Sequence, residues 1–302
     1  MASKATTTRP APQVLTREEF RERLYRPLPQ FKLRTVLVIV AAVLFILWGL
    51  EGTNASPAAL VEGIPNIADF ISRLFPPRFD PVTRPWVVPA LLQPLFGESL
   101  SLTYPSIFPY VIETVQMALI GTLLAIFLSA PFGLLAARNT APHPFIYSAM
   151  RMLLNINRAI PDIIFALVFV AAVGLGPFGG VLALAIGSIG STGKLYAEAI
   201  EAIDPRQVQA VRATGANRLQ SFRYGVVPQA LPLVASYSLL LFEHNVRSAT
   251  ILGLVGAGGV GFILSKYISL FQYRDLMGAL IWIILMVAVI DRISDYLRKK
   301  II

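Results

Sequence analysis

The chain has 302 residues, of which 55% are hydrophobic and only 14% are charged. Soluble domains carry about 25% charged residues, so this composition leaves too little charge for a surface that faces water. There is no cysteine, which excludes disulfides and thiolate sites, and two histidines without an HExxH motif argue against a metal site. The net charge of +9 indicates basic residues on the cytoplasmic face of a membrane, not nucleic acid. We therefore expect a membrane protein that contacts lipid and has no catalytic or metal-binding residues.

Residues 1–34 form a predicted cytoplasmic leader that is rich in basic residues. Thr16 and Glu19 make a capping box, which predicts a short amphipathic helix that ends near Pro27. A helix on the membrane surface and a solvated leader both fit this segment. Residues 35–50 are an apolar run that we interpret as an uncleaved anchor helix, because the polar leader is too long for a signal peptide.

The following connector, residues 51–108, contains many prolines and is predicted to be periplasmic. It holds three arginines against five acidic residues, whereas the leader, residues 204–228 and the C-terminal tail are strongly basic. Because basic residues stay on the cytoplasmic side, both termini are predicted to be cytoplasmic. Within the connector, four apolar residues at helical spacing predict a short helix along the membrane interface. They are Ile67, Phe70, Ile71 and Leu74.

The remainder of the chain, residues 109–302, is predicted to lie mostly within the membrane. Its apolar runs predict five spans, at roughly 110–137, 146–175, 179–200, 230–252 and 273–295. With the anchor, the fold prediction is an all-α membrane protein with six transmembrane helices, made of one N-terminal helix and a five-helix core.

The segment 204–228 lies between the predicted spans 179–200 and 230–252, which are the fourth and fifth when the anchor is counted as the first. It is longer and more basic than a plain connector needs to be. Asp204 can cap a first short helix, with Pro205 at its first position. Gly215 allows a sharp turn into a second helix, because glycine tolerates positive φ. A helix–turn–helix on the cytoplasmic face is therefore predicted, of a shape that suits a groove on another protein.

The spacing of residues in this segment resembles a known signature. The signature begins with a triplet, and a glycine follows after three intervening residues. An apolar position comes after nine further residues, and a final pair comes after one more. The positions are Gln209, Ala210, Val211, Gly215, Gly225, Val227 and Pro228. This resembles the Glu-Ala-Ala signature of the permeases of ATP-binding-cassette (ABC) importers, although the Glu, the second Ala, the Ile and the Leu are replaced. The resemblance implies that the segment docks into a separate ATPase, which would bind ATP and Mg, so this chain itself needs no cofactor.

Further stretches resemble one branch of this class. They are residues 158–164, 174–177, 193–199 and 243–253, followed by the glycine-rich run 256–261. These look like the permeases of phosphonate-type importers. The resemblance implies a homodimeric permease in a bacterial inner membrane, two ATPase subunits, and a periplasmic or lipid-anchored binding protein. The cargo it implies is a phosphonate, phosphite or related phosphorus oxyanion.

Polar residues inside the predicted spans, and the glycines that follow the span 230–252, are the candidates for the translocation path or its gate. They are Glu243, His244, Asn245, Arg247, Arg158, Asp162, Gly256, Gly258, Gly259 and Gly261. Glu243 and Arg247 lie four residues apart, a spacing that also fits a plain intrahelical ion pair. Lys194 and Glu198 have the same spacing and predict a structural pair. Arg158 and Asp162 flank Pro161, which predicts a break in the helix, either at the path or at the cytoplasmic start of a span.

The glycine run leaves two interpretations open, a turn at the outer end of the fifth span or close backbone packing at a gate. A dinucleotide site is excluded because no βαβ unit surrounds it.

An ion-coupled secondary transporter would predict an internal repeat, which we do not find. A membrane enzyme would need a clustered nucleophile, base or metal set. A different small solute, such as methionine, stays open within the importer class.

Overall fold

The computed structural model describes residues 33–53, 56–87 and 99–301, which fall into two units, Met1–Ala68 and Asp69–Ile302. The predicted leader helix lies outside the described residues. In the first unit, helix α1 (Leu33–Gly52) covers residues 35–50 of the predicted anchor, and none of its residues is buried within the chain. Its 20 residues rise about 30 Å, the thickness of the hydrocarbon core.

Helix α2 (Pro57–Leu74) confirms the helix predicted within the connector, and it is longer than predicted. One side of the helix is apolar, and Ile64, Ile67 and Ile71 are exposed there. The position of this helix at the membrane interface stays a prediction.

A β-hairpin follows, with β1 (Pro81–Val87) antiparallel to β2 (Ser99–Pro105) and Val87 opposite Ser99. The prediction that the chain is all-α is wrong here. The signal was present in the sequence of β2, because serine or threonine alternates there with leucine or tyrosine from Ser99 to Tyr104. Strict alternation indicates a strand with two different faces.

The rest of the second unit consists of helices. They are α3 (Phe108–Leu135), α4 (Pro144–Ala159), α5 (Asp162–Val173), α6 (Pro177–Gly187), α7 (Ile189–Glu201), α8 (Pro205–Ala213), α9 (Arg218–Ser221), α10 (Val227–Leu252), α11 (Gly259–Ser269) and α12 (Tyr273–Ile301). Two π-helical turns adjoin α10, Phe222–Val226 before it and Gly253–Ala257 after it.

Five helical segments of the described chain are long and apolar enough to cross a membrane. They are Leu33–Gly52, Phe108–Leu135, Pro177–Glu201, Arg218–Ala257 and Tyr273–Ile301. A sixth arises if α4 and α5, which meet at an angle of 82°, form one broken span. The break at Pro161 confirms the predicted one, since proline has no N–H for the helix and clashes with the preceding turn.

The membrane helices pack through small residues. A Cβ on Gly121 of α3 would lie 2.8 Å from the Leu184 Cβ of α6, and one on Gly133 would lie 2.8 Å from the Tyr196 Cβ of α7. Close backbone contact of this kind gives van der Waals attraction where lipid removes the hydrophobic driving force between helices.

Contacts between distant segments define the two ends of the bundle. The Arg138 N–H, just after α3, donates to Glu201 Oε1 at the end of α7 at 2.8 Å. The α8–α9 segment begins four residues after Glu201, so it lies at this end, which we name the coupling side. At the opposite end, the Arg78 N–H donates to the Arg274 carbonyl at 3.1 Å, which places the start of α12 beside the connector.

Candidate functional site

The predicted helix–turn–helix of residues 204–228 is present in the structure. Asp204 Oδ1 accepts a hydrogen bond from the Arg206 N–H at 2.9 Å and caps α8. Gly215 has φ +86° and ends the turn after α8, as its sequence position predicts. Asn217 and Gln220 then form a reciprocal capping box at the start of α9. Local side-chain chemistry thus accounts for both helix starts.

The predicted coupling residues are mostly exposed. No residue of α8 is buried, and Gln209, Ala210, Gly215 and Pro228 are all exposed, whereas Val211 and Val227 are half-buried. Three of the six line one surface cleft of about 670 Å³, namely Ala210, Val211 and Gly215. The segment therefore presents a contoured surface that nothing in the described chain covers.

Gly225 stands where the signature of importer permeases has isoleucine, and the structure explains the difference. A Cβ at Gly225 would lie 3.2 Å from the Val208 Cα, so α8 packs against backbone at this point. Gln229 strengthens the same contact, because its Nε2 donates to the Gly225 carbonyl and its Oε1 accepts from the Asp204 N–H at 2.9 Å. The sequence did not predict the role of Gln229, which joins the first turn of α10 to the start of α8.

Glu201, at the end of α7, contacts α4 and the backbone just after α3. Its Oε1 accepts from the Arg138 N–H, and its Oε2 lies 3.0 Å from Arg151 Nη2 on α4. The predicted pair of Lys194 and Glu198 is wrong. Glu198 lies 3.9 Å from Arg151 Nη1, and Lys194 donates to the Asn155 side chain on α4. Partners on α4 replace the predicted intrahelical contact because α4 packs along α7.

Glu243 and Arg247 do not pair with each other. Arg298 Nη2 lies 2.5 Å from Glu243 Oε1, and Arg247 Nη1 lies 3.2 Å from Asp291 Oδ1, so both residues pair with α12. The alternative of a plain intrahelical ion pair is therefore wrong, although the two side chains do share a face. The two ion pairs differ in burial, since the Glu243 side chain is 11% exposed and that of Arg247 is 49% exposed. Each charge is neutralised by the neighbouring helix, which makes both helices easier to insert.

Asp162 and His244, predicted from two different spans, come together. Asp162 Oδ2 lies 3.5 Å from His244 Nε2 and accepts from Ser248 Oγ at 3.1 Å. The same ring nitrogen of His244 faces both Ser248 and Asp162. A Ser-His-Asp triad needs the two ring nitrogens for separate partners, so this cluster is not a catalytic triad. Arg158, one turn before Asp162, is exposed and forms no ion pair with any described residue.

Asn245 lies inside the bundle. It is fully buried, accepts from Ser188 Oγ at 3.1 Å and donates to Thr122 Oγ1 at 2.9 Å. These bonds join α10 to α3 and to the break between α6 and α7. Its part in a translocation path stays a prediction, because in this conformation it connects helices.

Asn157 has a structural role that its sequence position does not reveal. Its Nδ2 donates to the Ile186 carbonyl at 3.1 Å, and its Oδ1 accepts from the Gly190 N–H at 2.7 Å. Both partners belong to the break between α6 and α7, where backbone groups lose their helical partners. Asn157, near the end of α4, thus connects this break to the one at Pro161.

Replacing Asn157 by alanine is expected to lower the free energy of unfolding by about 1–3 kcal/mol, since two part-buried backbone groups lose their partner. Thermal melting of the purified protein in detergent measures this. Asn155→Ala on the same helix is the matched control, because Asn155 is exposed and its one side-chain hydrogen bond among the described residues is from Lys194. Equal losses for the two variants would contradict the assigned role of Asn157.

The glycine cluster forms both a turn and a close backbone contact, and its role in a gate stays a prediction. Gly256, Gly258 and Gly259 have φ of +92°, +84° and +67°, which favour glycine. A Cβ on Gly253 would lie 2.7 Å from the Gly261 Cα. The chain therefore reverses and packs against itself between α10 and α11.

Two residues of α3, Glu113 and Thr114, hold the start of α11. Glu113 Oε1 accepts from the Gly259 N–H at 3.1 Å, and Thr114 Oγ1 accepts from the Val260 N–H at 2.8 Å. These satisfy N–H groups that a helix start leaves free. Within residues 33–53, 56–87 and 99–301, no three His, Asp or Glu side chains come together to hold a metal ion.

Comparison with known proteins defines the class of the chain. Residues 129–302 match the family described as binding-protein-dependent transport system inner membrane component. The match covers more than half of the chain, from the second half of α3 onward. The chain therefore belongs to this family of transport permeases.

Individual relatives extend the similarity. The chain is 37% identical over 268 residues to the phosphite transport system permease protein PtxC of Stutzerimonas stutzeri, covering 89% of each protein. It is 38% identical over 283 residues to the phosphate-import permease protein PhnE of Mycolicibacterium smegmatis, covering 93% of this chain and 47% of that protein. A solved structure of the MetNI methionine ABC transporter in inward-facing conformations matches with a TM-score of 0.56 and 22% identity, covering 65% of this chain and 96% of that one. This last likeness shows the fold alone.

Proposed function

We propose that this chain is the membrane-spanning permease subunit of an ABC importer that carries a phosphonate, phosphite or related phosphorus oxyanion. The observation that carries the proposal is the 37% identity to a phosphite permease along 89% of the chain. The methionine transporter shares 22% identity, so a methionine cargo is the weaker alternative. The family description supports an inner-membrane location. The basic residues of 204–228 support a cytoplasmic position for the coupling side.

The proposed assembly contains two copies of this chain, two ATPase subunits and a binding protein on the outer side. The exposed surface of α8 and α9 is the proposed ATPase contact. Gln229 and Glu201 connect that surface to α10, α3 and α4. A displacement of α8 by the ATPase would therefore reach α10, which carries His244 and Arg247, and through His244 and Ser248 it would reach Asp162 on α5. Those residues, with Arg158 and the glycine cluster, are the proposed path and gate.

Replacing Gly215 by proline is expected to reduce co-purification with the ATPase at least about tenfold, while the permease inserts normally. Gly215 has φ +86°, whereas proline holds φ near −65°, so the turn between α8 and α9 cannot form. Gly215→Asn is the matched control, because asparagine tolerates the left-handed region. The measurement is the amount of ATPase retained on a tagged permease in mild detergent. Full ATPase stimulation by the proline variant would refute the coupling assignment.

The cargo is tested separately, by ATP-driven uptake into proteoliposomes that contain the permease, its ATPase and its binding protein. Uptake of phosphite or a phosphonate, with no uptake of methionine, is expected. Transport without ATP would instead support the secondary-transporter alternative. Uptake of methionine alone would keep the importer class and change the cargo.

A further inference from the structure

A cavity of about 450 Å³ lies where α3 begins, beside the turn from α11 to α12. Six of its lining residues have polar side chains, and none of the described lining residues is acidic. The polar six are Tyr104, Ser106, Tyr110, Lys266, Tyr267 and Gln272. The cavity is at the end of the bundle opposite the coupling side, because it borders the connector and the start of α12.

The chemistry of the lining suits an anion that is rich in oxygen. Hydroxyls, an amide and an ammonium group can all donate hydrogen bonds, and together they surround one volume. Lys266 supplies the positive charge and forms no ion pair within the part of the chain that the structure describes. A phosphorus oxyanion presents several acceptor oxygens and a negative charge, so its needs match these donors.

The surroundings keep the tyrosine a donor. Burial raises the pKa of Tyr267 and outweighs the lowering by its hydrogen bond with Ser106, so the phenol keeps its proton. The nearby carboxylates of Asp275 and Asp80 also raise this pKa. The Asp80 carboxylate lies 3.6 Å from Arg78 Nε, which offsets its charge. The carboxylates of Asp275 and Asp80 are thus near the cavity, and that of Asp80 is paired with Arg78.

The carbonyl groups at the end of α11 also do not repel an anion in the cavity. The last carbonyls of a helix carry partial negative charge when they have no partner. Here the Gln272 N–H donates to the Tyr267 carbonyl at 2.9 Å, and the Phe271 N–H donates to the Ile268 carbonyl at 3.1 Å. The turn that follows α11 therefore occupies these acceptors before a ligand arrives.

The geometry points to this cavity as a binding site for a phosphorus oxyanion on the outer face of the permease. The inference rests on the proposed function, which places anion release by the binding protein on this side. The site would receive the anion about 10 Å from the glycine cluster, which is the rise along α11 from Gly259 to Lys266. The phosphate of a lipid headgroup has the same chemistry, so the occupant is either a free oxyanion or a lipid phosphate.

The first test measures phosphite binding to the purified full-length permease–ATPase complex in a detergent that contains no phosphorus. The expected result is broadening of the phosphite ³¹P resonance, relieved by competing phosphate. Lys266→Gln should weaken binding at least about tenfold by removing a charge-assisted bond, and Lys266→Arg should largely preserve it. Arg274→Gln is the control, because Arg274 lies close in sequence and does not line the cavity. Lys266 is exposed, so its replacement leaves the fold intact.

The second test measures the phospholipid phosphorus that stays with the purified complex. Lipid retained by the natural protein and lost in Lys266→Gln would support the site with a lipid phosphate as occupant. Phosphite binding in the absence of retained lipid would support a free oxyanion. Phosphite binding and lipid content that are both unchanged by Lys266→Gln would overturn the site.

Uptake assays separate this inference from the proposed function. If no phosphorus oxyanion is transported and Lys266-dependent binding persists, the proposed function fails and the site stands. If phosphite uptake is normal and neither its KM nor binding changes in Lys266→Gln, the site fails and the proposed function stands.

Discussion

Replacing Arg298 by methionine is expected to lower the free energy of unfolding by about 3 kcal/mol, because the carboxylate of Glu243 would stay buried without a partner. The Glu243 side chain is 11% exposed and its contact with Arg298 is 2.5 Å. Arg298 also contacts Asp295 at 3.1 Å, but the Asp295 side chain is 59% exposed and can be solvated instead. Unfolding in a titration of denaturing detergent, followed by loss of helical circular dichroism, measures the change.

Two controls make this result specific. Adding Glu243→Gln to Arg298→Met should recover most of the lost stability, since the buried charge is removed with its partner. Arg247→Met breaks an exposed pair with Asp291 and should cost less than about 1 kcal/mol. If Arg298→Met lowers the free energy of unfolding no more than Arg247→Met does, burial does not make the Glu243–Arg298 pair more important for stability than the Arg247–Asp291 pair.

Replacing Gly261 by alanine is expected to destabilise the protein by about 3 kcal/mol and to abolish uptake, because inserting an atom at a tight contact forces the backbone apart. The added Cβ would collide with the Thr250 carbonyl oxygen and lie 2.9 Å from the Gly253 Cα. Both are backbone atoms, which cannot move aside by a rotamer change. Size-exclusion chromatography after heating gives the melting temperature.

Gly63→Ala on α2 is the matched control for this variant. No atom lies within 4 Å of a Cβ at Gly63, so the substitution meets open space. It should leave stability unchanged or raise it by up to about 1 kcal/mol, since alanine favours a helix. A melting temperature for Gly261→Ala equal to that of Gly63→Ala would show that the glycine contact is not tight in the protein.

Much of the helical layout was predictable from hydrophobic runs. The anchor, α3, α10 and α12 lie close to the predicted ranges, because an apolar stretch of that length has few alternatives to a membrane helix. The break at Pro161 was also predictable from proline chemistry. The β-hairpin was missed because its prolines, Pro81, Pro85 and Pro105, suggested a loop, although β2 alternates strictly.

The coupling segment was predictable in detail because its determinants are local. The Asp204 cap involves a residue two positions away, and the turn at Gly215 depends on a single backbone conformation. The charged residues of α10 behaved differently. The partners of Glu243 and Arg247 lie 55 and 44 residues away along the chain, and no spacing rule predicts ion pairs at such separations.

The sequence by itself determined the class of protein, the membrane helices and the turn chemistry of residues 204–228, since these depend on composition and on neighbours along the chain. The tertiary structure alone decided the contacts of Asn157 with the second helix break, of Glu113 with α11, and of Lys266 with its cavity. The physical reason is the range of the interaction. A side chain satisfies a backbone group or a charge wherever packing brings one near, and packing is a property of all the helices together.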